Sequence, residues 1–388
     1  MKGFDYRQHR DLLLFILALV VLAFALFPKK SIFAAPEAVK IVFTQWWEND
    51  LEENTLRELI SEFEDLHPGL KIVLEPTSYE ELQHDLFAGT VPQSDVLALD
   101  PLWVPELQTR EIIGSGSPPL VSFINVLYYN IDILKDSGFS RPPKTRTEFI
   151  NYSRAVKKKD ENYQALVMDD DSSRWVYDDV YPWIWASGVQ LVSDGKPLVN
   201  SRPVIDSLAF LAALNSEDLV VLDKKLSHFC SGKTAFMISS ARNIGLIRES
   251  MGEGSFGISS VPSIDNHAGP FFYGTDEWAL GISLVSARQE EAKLFVDFIC
   301  EKASTLNTKS GASSAQRGDD PFYSKVWDIA ISGEAARDFS ALPWAEAEKA
   351  AKEALLMLFL GELSAAEAAR SIQKEWEAIF DKNSHNYR

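Results

Sequence analysis

The chain has 388 residues, of which 46% are hydrophobic and 24% charged, a composition typical of a globular protein. Its 38 Lys and Arg stand against 56 Asp and Glu. The resulting net charge of −18 argues against a general affinity for nucleic acid or anionic lipid, because both bind basic surfaces. The length exceeds one ordinary hydrophobic core and predicts two domains.

The first 35 residues have the pattern of an export segment. Basic residues precede an uninterrupted apolar run at positions 12–27, which is typical of a secretory signal peptide. The run is also nearly long enough to span a bilayer as an uncleaved anchor. We therefore expect residues 1–35 to be a signal peptide or an N-terminal membrane anchor, and the rest of the chain to be exported.

Strands and helices alternate through the first quarter of the chain. The apolar pattern predicts strands over 40–44, 70–74 and 95–99, with helices between them that begin at Thr55 and at Tyr79. This alternation predicts parallel βαβ units and therefore an α/β domain. Ligands of such sheets lie beyond the carboxyl ends of the strands. A site is therefore expected among the residues that follow these strands, which are Trp46, Trp47, Glu48, Tyr79, Asp100 and Trp103.

The stretch 125–159 is organised as strand, short helix, rigid link and helix. Val126–Asn130 is apolar and prone to form a strand, and the short helix after it is expected to end at Gly138, where positive φ is favoured. Pro142 and Pro143 cannot continue a helix, because neither offers an N–H group.

Two helix starts are predicted from capping boxes, in which a Thr and a Glu three residues later satisfy free backbone N–H groups. Thr55 with Glu58 and Thr145 with Glu148 have this spacing. The second helix is expected to reach Lys157–Lys159, because lysines suit the negative end of the helix dipole.

This order of motifs resembles a segment of the extracellular solute-binding proteins, the maltose-binding-protein-like receptors of ABC sugar importers. Their LYYN…PPKTW-D-E-F segment is matched here by Leu127-Tyr128-Tyr129-Asn130, Pro142-Pro143-Lys144-Thr145 and Glu148-Phe149. Arg146 stands where the family usually has Trp, at what we expect to be a solvent-facing helix start.

The resemblance continues in order from residue 40 to residue 380. Its further parts are an aromatic helix at 181–188, a hairpin-like turn at 191–196, the run at 229–237, a strand before Pro262, a strand over 278–283, a helix over 290–299 and helical residues within 353–380. No single motif is decisive, and the specificity lies in their joint order.

The resemblance implies an α/β fold of the two-lobed, type II periplasmic-binding-protein class, with a cleft between the lobes and a hinge that the chain crosses more than once. The expected divisions are 36–124 and 261–306 for lobe 1, and 125–260 with the C-terminal helices of 307–388 for lobe 2. Cys230 would then lie in lobe 2 and Cys300 in lobe 1. A disulfide between them would lock the hinge, so we expect two free thiols.

Ligand-binding candidates follow from the chemistry of a sugar, which offers apolar faces to aromatic rings and hydroxyl edges to polar side chains. At the position where the family commonly has a stacking Trp, this chain has Arg242, and an arginine can fork onto vicinal hydroxyls or onto an anionic group. The full set of candidates is Trp46, Trp47, Glu48, Tyr79, Asp100, Trp103, Trp183, Trp185, Arg242, Tyr273, Asp276 and Trp344.

Other kinds of site find little support in the sequence. The G-x-G-x-x-G run at 252–257 is predicted to follow a helix and precede a strand, the reverse of a dinucleotide loop, and Gly232-Lys233-Thr234 lacks the earlier glycine of a P-loop. Asp169–Asp171 is more typical of a solvated acidic loop than of a cation site, and the six His lack zinc spacing. We expect no cofactor, no metal and no catalytic residues.

The expected function is that of an exported solute-binding protein, periplasmic or extracytoplasmic, which captures a sugar or oligosaccharide by lobe closure and delivers it to the permease subunits of an ABC importer. We expect a monomer that binds no nucleic acid. Three alternatives stay open: a receptor for a charged solute such as a uronate, polyamine or metal ion, a cleft glycoside hydrolase, and an anchored sensor without transport.

Overall fold

The structure is a computed structural model, and it describes residues 38–47, 51, 54–90, 92–169, 174–193, 195–267, 271–310, 320–336 and 343–384. The predicted signal or anchor segment lies outside these ranges. Within them, no helix combines the length and the apolar character needed to cross a membrane.

The elements up to residue 168 alternate between strand and helix in the way that the apolar pattern predicts. In chain order they are β1 (Val39–Gln45), α1 (Thr55–Leu66), β2 (Leu70–Pro76), α2 (Tyr79–Ala88), β3 (Val96–Leu99), α3 (Val104–Thr109), β4 (Ile113–Gly116), β5 (Val121–Asn130), α4 (Ile131–Asp136), α5 (Arg146–Lys159) and β6 (Gln164–Met168).

The next elements begin with a π-helical turn, Val176–Val180, that runs into a short α-helix. They are α6 (Tyr181–Trp185), β7 (Val192–Ser193), β8 (Lys196–Pro197), α7 (Arg202–Ser216), β9 (Val220–Leu222), α8 (Lys225–Cys230), β10 (Thr234–Ser240), a 3-10 turn (Ala241–Asn243), α9 (Ile244–Met251) and β11 (Phe256–Ser259).

The remaining elements return to the first part of the sheet and end in two long helices. They are β12 (Phe272–Tyr273), β13 (Thr275–Ser283), α10 (Gln289–Glu301), α11 (Ala303–Ser310), α12 (Pro321–Ser332), β14 (Glu334–Ala335), α13 (Trp344–Phe359) and α14 (Ala365–Ser384).

One path of hydrogen-bonded strands connects both halves of the molecule, in the order β2-β1-β3-β13-β5-β10-β6-β9, with β4 beside β13 and β11 beside β5. The pairs β1–β2 and β1–β3 are parallel, as the βαβ prediction requires. The pair β6–β10 in the other half is parallel as well. The prediction of an α/β fold is confirmed.

Strands β5 and β13 are the elements that cross between the two halves. The first part of β5 pairs with β13, from Val121 opposite Trp278 to Ile124 opposite Thr275. The second part of β5 pairs with β10 and β11 instead, while the far end of β13 pairs with β3. We infer that β1–β4 and the far end of β13 belong to lobe 1, and that β6, β9, β10 and β11 belong to lobe 2.

The segment before β13 lies with lobe 2 elements, whereas the sequence placed the start of the second lobe 1 segment at residue 261. Ser263 forms a bridge with Thr145 at the start of α5, and β12 pairs with β14. We infer that the return to lobe 1 comes at Thr275, where the backbone pairing of β13 with β5 begins.

The two predicted capping boxes have different outcomes. Thr145 caps α5, since its hydroxyl accepts a hydrogen bond from the N–H of Glu148. The prediction for Thr55 is wrong, because Thr55 is already helical and is preceded by Asn54 in the left-handed region with φ 66°. Ser78, which the sequence analysis passed over, forms a complete capping box with Glu81 at the start of α2. This box fixes the end of the helix that reaches the cleft.

The prediction that Arg146 faces solvent is wrong, because its side chain is buried against α6 and α7. Its guanidinium donates hydrogen bonds to the carbonyl of Trp183, to Ser187 Oγ over 2.6 Å and to Ser207 Oγ over 3.0 Å. It also lies over the ring of Phe210, with 5.4 Å between the guanidinium carbon and the ring centroid. Burial lowers the pKa of Arg146 to about 10. Arg146 therefore connects the start of α5 to α6 and α7 inside lobe 2.

Candidate functional site

A cleft of about 970 Å³ opens beside the two crossing strands. Its lobe 1 side is short and comes from the start of α2 and from β13. We call this the first wall, and its residues are Tyr79, Glu80 and Asp276. The second wall comes from lobe 2, and its residues are Asp169, Arg174, Asp178, Lys224, Lys225, Leu226, Ser227, Cys230, Ser231, Ser239, Ser240, Arg242, Asn243, Leu246 and Ser250.

Arg174 joins the two walls. Its guanidinium forms a buried ion pair with Asp100, the residue that follows β3 in lobe 1. It also lies 3.3 Å from Asp178 of its own lobe and donates to the carbonyl of Thr275 over 3.3 Å, on the crossing strand β13. The guanidinium carbon lies 4.6 Å from the ring centroid of Tyr177. The side chain therefore contacts lobe 1, the hinge and lobe 2 together.

The ion pairs around Arg174 keep Arg174 and Asp178 in their charged forms. Burial alone would lower the pKa of Arg174, but the neighbouring Asp178, Tyr79 and Asp100 raise it, so the guanidinium stays charged. Burial would raise the pKa of Asp178, but Arg174, Lys225 and Arg242 outweigh this effect and lower it. Both groups are therefore charged at neutral pH.

A second buried ion pair supports the second wall from behind. Lys225, the first residue of α8, donates to both carboxylate oxygens of Asp179 over 3.0 Å. Burial raises the pKa of Asp179 to about 7, with Lys225 opposing the shift. Asp179 also accepts a hydrogen bond from the N–H of Asp169 over 3.2 Å. The pair thus connects the π-helical turn to α8 and to the end of β6.

The end of β10 gives the second wall its hydroxyl groups. Ser239 and Ser240 are more than nine-tenths buried and line the cleft. Ser239 Oγ accepts a hydrogen bond from the side-chain amide of Asn243 over 2.9 Å. Arg242 follows in the 3-10 turn, and its Nε lies 3.0 Å from a carboxylate oxygen of Asp276 on the first wall.

Three of the predicted site residues line the cleft, namely Tyr79, Arg242 and Asp276. Asp100 lies just behind, because it accepts hydrogen bonds from the hydroxyl of Tyr79 over 2.9 Å and from Arg174. Trp46 and Trp103 pack behind the Tyr79 ring, with centroid distances of 5.2 and 4.7 Å. These residues do come together, as expected for residues at the ends of neighbouring strands.

The other predicted rings lie in the core or away from the cleft. Trp47 stacks on Trp278. Trp183 packs between Phe149 and Phe210, and Trp185 packs against Tyr177. Trp344 is buried at the start of α13. The Tyr273 hydroxyl donates a hydrogen bond to the carbonyl of Ala330. Glu48 lies outside the residues that the structure describes. The ligand-binding roles of the whole set stay predictions.

All ten tryptophans of the chain fall within the described ranges. Nine of them are at most 6% exposed, and the tenth, Trp327, is 37% exposed on α12. None is among the cleft-lining residues that the structure describes. The described lining of the cleft therefore presents no Trp ring.

The sequence analysis missed Arg174, Lys224 and Ser239. An isolated arginine, lysine or serine in a polar turn gives no periodic signal, so only the strand ends could have suggested them. Arg174 follows β6, Lys224 follows β9 and Ser239 lies at the end of β10, so the rule used for lobe 1 would have directed attention to these strand ends.

The Asp169–Asp171 run contributes one described residue, Asp169, to the cleft. Among the residues that the structure describes, no group of three or more His, Cys, Asp or Glu side chains is arranged to hold a metal ion. Cys230, at the end of α8 in the second wall, and Cys300 on α10 are free thiols.

Comparison with known proteins gives a consistent result. The family model of bacterial extracellular solute-binding proteins matches residues 49–305. The fold is similar to that of the GacH receptor of Streptomyces glaucescens, which was solved unliganded and with acarbose. The two are 16% identical, with 89% of this chain and 99% of that chain covered and a TM-score of 0.71.

Two further solved structures share the fold. Maltose-bound MalE3 of T. maritima is 18% identical, with 88% of this chain and all of that chain covered and a TM-score of 0.69. UgpB from Mycobacterium tuberculosis, in complex with glycerophosphocholine, is 16% identical, with 89% of this chain and all of that chain covered and a TM-score of 0.73. These likenesses confirm the two-lobed fold of periplasmic binding proteins.

Proposed function

This chain belongs to the family of bacterial extracellular solute-binding proteins, and we propose that it captures a polar small solute between its lobes and delivers it to the membrane permease of an ABC importer. The observation that carries the proposal is the cleft of about 970 Å³ beside the crossing strands β5 and β13. Its size lies in the range of sites that enclose small ligands.

Capture would depend on bending at β5 and β13, because each of these strands has one end in each lobe. Strand ends that belong to different lobes allow the lobes to close around a bound solute as rigid bodies. Only a solute that contacts both walls can shift the equilibrium from open to closed, since the shift requires a difference in affinity between the two states. Tyr79, Asp276 and Arg242 are placed to supply such contacts.

A carbohydrate is the first candidate for the solute. Two of the similar proteins described above were solved with acarbose or with maltose, which supports a sugar or oligosaccharide for this chain as well. A charged solute is the second candidate. The eight ionisable aspartate, glutamate, lysine and arginine side chains on the two walls favour it, and a third similar protein holds glycerophosphocholine.

We further propose that the protein works outside the cytoplasmic membrane as a monomer, with residues 12–27 acting as a signal sequence or as a tether. The solute would be bound and released unchanged. This part of the proposal predicts that no glycoside is consumed when it is incubated with the protein.

The test is a thermal-shift screen of the purified protein against neutral sugars, sugar acids, sugar phosphates, polyamines and metal ions. A solute present at about 100 times its Kd stabilises the folded state by about 2.7 kcal/mol, which raises the Tm by several degrees. Small-angle scattering with and without the active solute should then show a smaller radius of gyration in its presence. Stabilisation without closure, or consumption of a glycoside, would contradict the proposal.

A further inference from the structure

The charges on the two walls of the cleft are unevenly distributed. Among the described lining residues, the first wall offers two carboxylates, Glu80 and Asp276, and no cation. The second wall offers all the lining cations, which are Arg174, Lys224, Lys225 and Arg242, against the carboxylates of Asp169 and Asp178. A solute between these walls meets positive charge on the lobe 2 side and carboxylate acceptors on the lobe 1 side.

The four cationic side chains differ in their exposure and in their ion-pair partners. Arg174 and Lys225 are less than one-tenth exposed and are ion-paired with buried carboxylates, so they have structural roles. The Arg242 side chain is 32% exposed, and its Nε pairs with the carboxylate of Asp276 on the first wall over 3.0 Å. Lys224 is exposed and has no ion pair to any residue that the structure describes. Arg242 and Lys224 are therefore the cations that a solute can reach.

The serine hydroxyl groups beside them are free to act as donors to a solute. Ser239 Oγ accepts from Asn243, and Ser240 Oγ accepts from the N–H of Arg242 over 3.4 Å. Each hydroxyl also carries one proton, and neither donates it to any residue within the described ranges. A buried hydroxyl that lines a cleft with its proton unused favours an acceptor in the cleft. Carboxylate and phosphate oxygens are strong acceptors of this kind.

Among its described lining residues, the cleft offers few of the aromatic rings on which a neutral oligosaccharide stacks. Tyr79 supplies the one aromatic ring among the described lining residues. Its hydroxyl is committed to Asp100, and its ring packs on Trp46 and Trp103. Recognition therefore falls to charged groups and hydroxyls, and the cations among them attract anions more strongly than they attract neutral hydroxyls.

We propose, building on the solute-binding function, that the solute is a hydroxylated anion. Lys224, Arg242 and the hydroxyls of Ser239 and Ser240 bind its anionic group on the second wall. Its own hydroxyls donate to Asp276 and Glu80 on the first wall. The orientation is set by the opposite signs of the two walls.

The test is isothermal titration of the protein with matched pairs of solutes. Glucose is compared with glucuronate and glucose 6-phosphate, and glycerol with glycerol 3-phosphate. We expect at least one anion to bind at least tenfold more tightly than its neutral parent, with an affinity that falls as salt is added. Comparison of glucuronate with glucose 6-phosphate shows whether the anionic group is a carboxylate or a phosphate.

Variants locate the anion within the cleft. Lys224→Gln and Arg242→Gln should each weaken binding of the anion at least fivefold and should weaken binding of the neutral parent by a smaller factor. The matched control is Lys233→Gln, because Lys233 is an exposed lysine after α8 that is not among the cleft-lining residues. The Lys224 side chain is exposed, so we expect Lys224→Gln to keep the fold.

Two results overturn the inference and leave the proposed function standing. One is a neutral sugar that binds as tightly as its anionic partner, and the other is anion binding that neither Lys224→Gln nor Arg242→Gln weakens. A different result counts against the proposed function itself. If a glycoside is hydrolysed during the titration, the cleft is an enzyme site, whatever the charge of its preferred substrate.

Discussion

The two walls of the cleft are built in opposite ways. The first wall has few polar residues and lies on an aromatic core. Trp46 and Trp103 pack against the ring of Tyr79 on the side away from the cleft. The second wall is a set of serines and charged side chains on the turns after β6, β9 and β10. In this molecule most of the large rings are buried in the core, and polar strand ends line the cleft.

The difference shows why a high count of aromatic residues is a weak guide to a binding site. Large rings bury the most apolar surface, so the same residues that suit a sugar platform also suit a core. In this chain nine of the ten tryptophans are buried in the core. Polar turns at strand ends have no such competing role, and here they line the cleft.

The largest expected effect on stability comes from removing the Arg174 side chain, which connects the two lobes. Arg174→Ala leaves the carboxylate of Asp100, which is 2% exposed, without its cation, and should lower the free energy of unfolding by about 3–5 kcal/mol. Urea denaturation measures the loss. Arg202→Ala is the control, since Arg202 is 84% exposed and pairs with Asp206 on the surface, where a loss of about 0–1 kcal/mol is expected.

A double variant distinguishes the ion pair from general packing. Replacing both partners, as in Arg174→Met with Asp100→Leu, removes the buried charges together and should recover most of the stability lost in Arg174→Ala. If the double variant is less stable than Arg174→Ala, the side chains matter through their packing rather than through their charges.

A second prediction concerns Glu348, which supports the second wall from α13. Its Oε1 accepts hydrogen bonds from the N–H groups of Val176 and Tyr177, at the start of the turn that carries Asp178. Burial raises the pKa of Glu348 to about 8, from 4.5 for a free glutamate, and Asp178 adds to the shift. The folded protein therefore holds a proton that the unfolded chain has already released.

The sign of the pH effect follows from this difference. Because the folded pKa is raised, Glu348 makes the protein less stable as pH rises from about 4.5 towards 8. Between pH 6 and pH 8 the loss is about 2 kcal/mol, since each pH unit in this window costs about 1.4 kcal/mol until the folded group ionises. Glu348→Gln keeps an uncharged side chain in place and should remove this share of the decline.

Urea denaturation at pH 6, 7 and 8 measures the effect as the difference between Glu348→Gln and the unaltered protein. Other groups that titrate in this range, such as Asp179, then cancel. Glu346→Gln on the same helix is the control and should leave the pH dependence unchanged. Parallel curves for Glu348→Gln and the unaltered protein would show that the buried carboxyl does not titrate in this range.

How much of the molecule the sequence predicts depends on the kind of signal. Apolar periodicity and the proline–glycine boundaries predicted the strands and helices around Thr145, and the order of motifs predicted the two-lobed fold. Burial of Arg146 was missed, because a charged residue in the first turn of a helix normally faces water, and here it lies against α6 and α7. Side chains that meet only after folding, such as Arg174 with Asp100, leave no local pattern.

The smallest expected effect comes from the first wall. Tyr79→Phe removes one hydrogen bond, of 2.9 Å, from a carboxylate that still accepts from Arg174 and from the N–H of Leu102, so a loss of about 1.5 kcal/mol is expected. Tyr163→Phe is the control, because the Tyr163 hydroxyl makes an exposed contact of 3.5 Å with Asp136. Affinity for the solute should fall less than threefold in Tyr79→Phe, since the hydroxyl is already committed to Asp100. A tenfold loss of affinity with unchanged stability would place that hydroxyl on the solute, and the first wall would then recognise the solute as directly as the second.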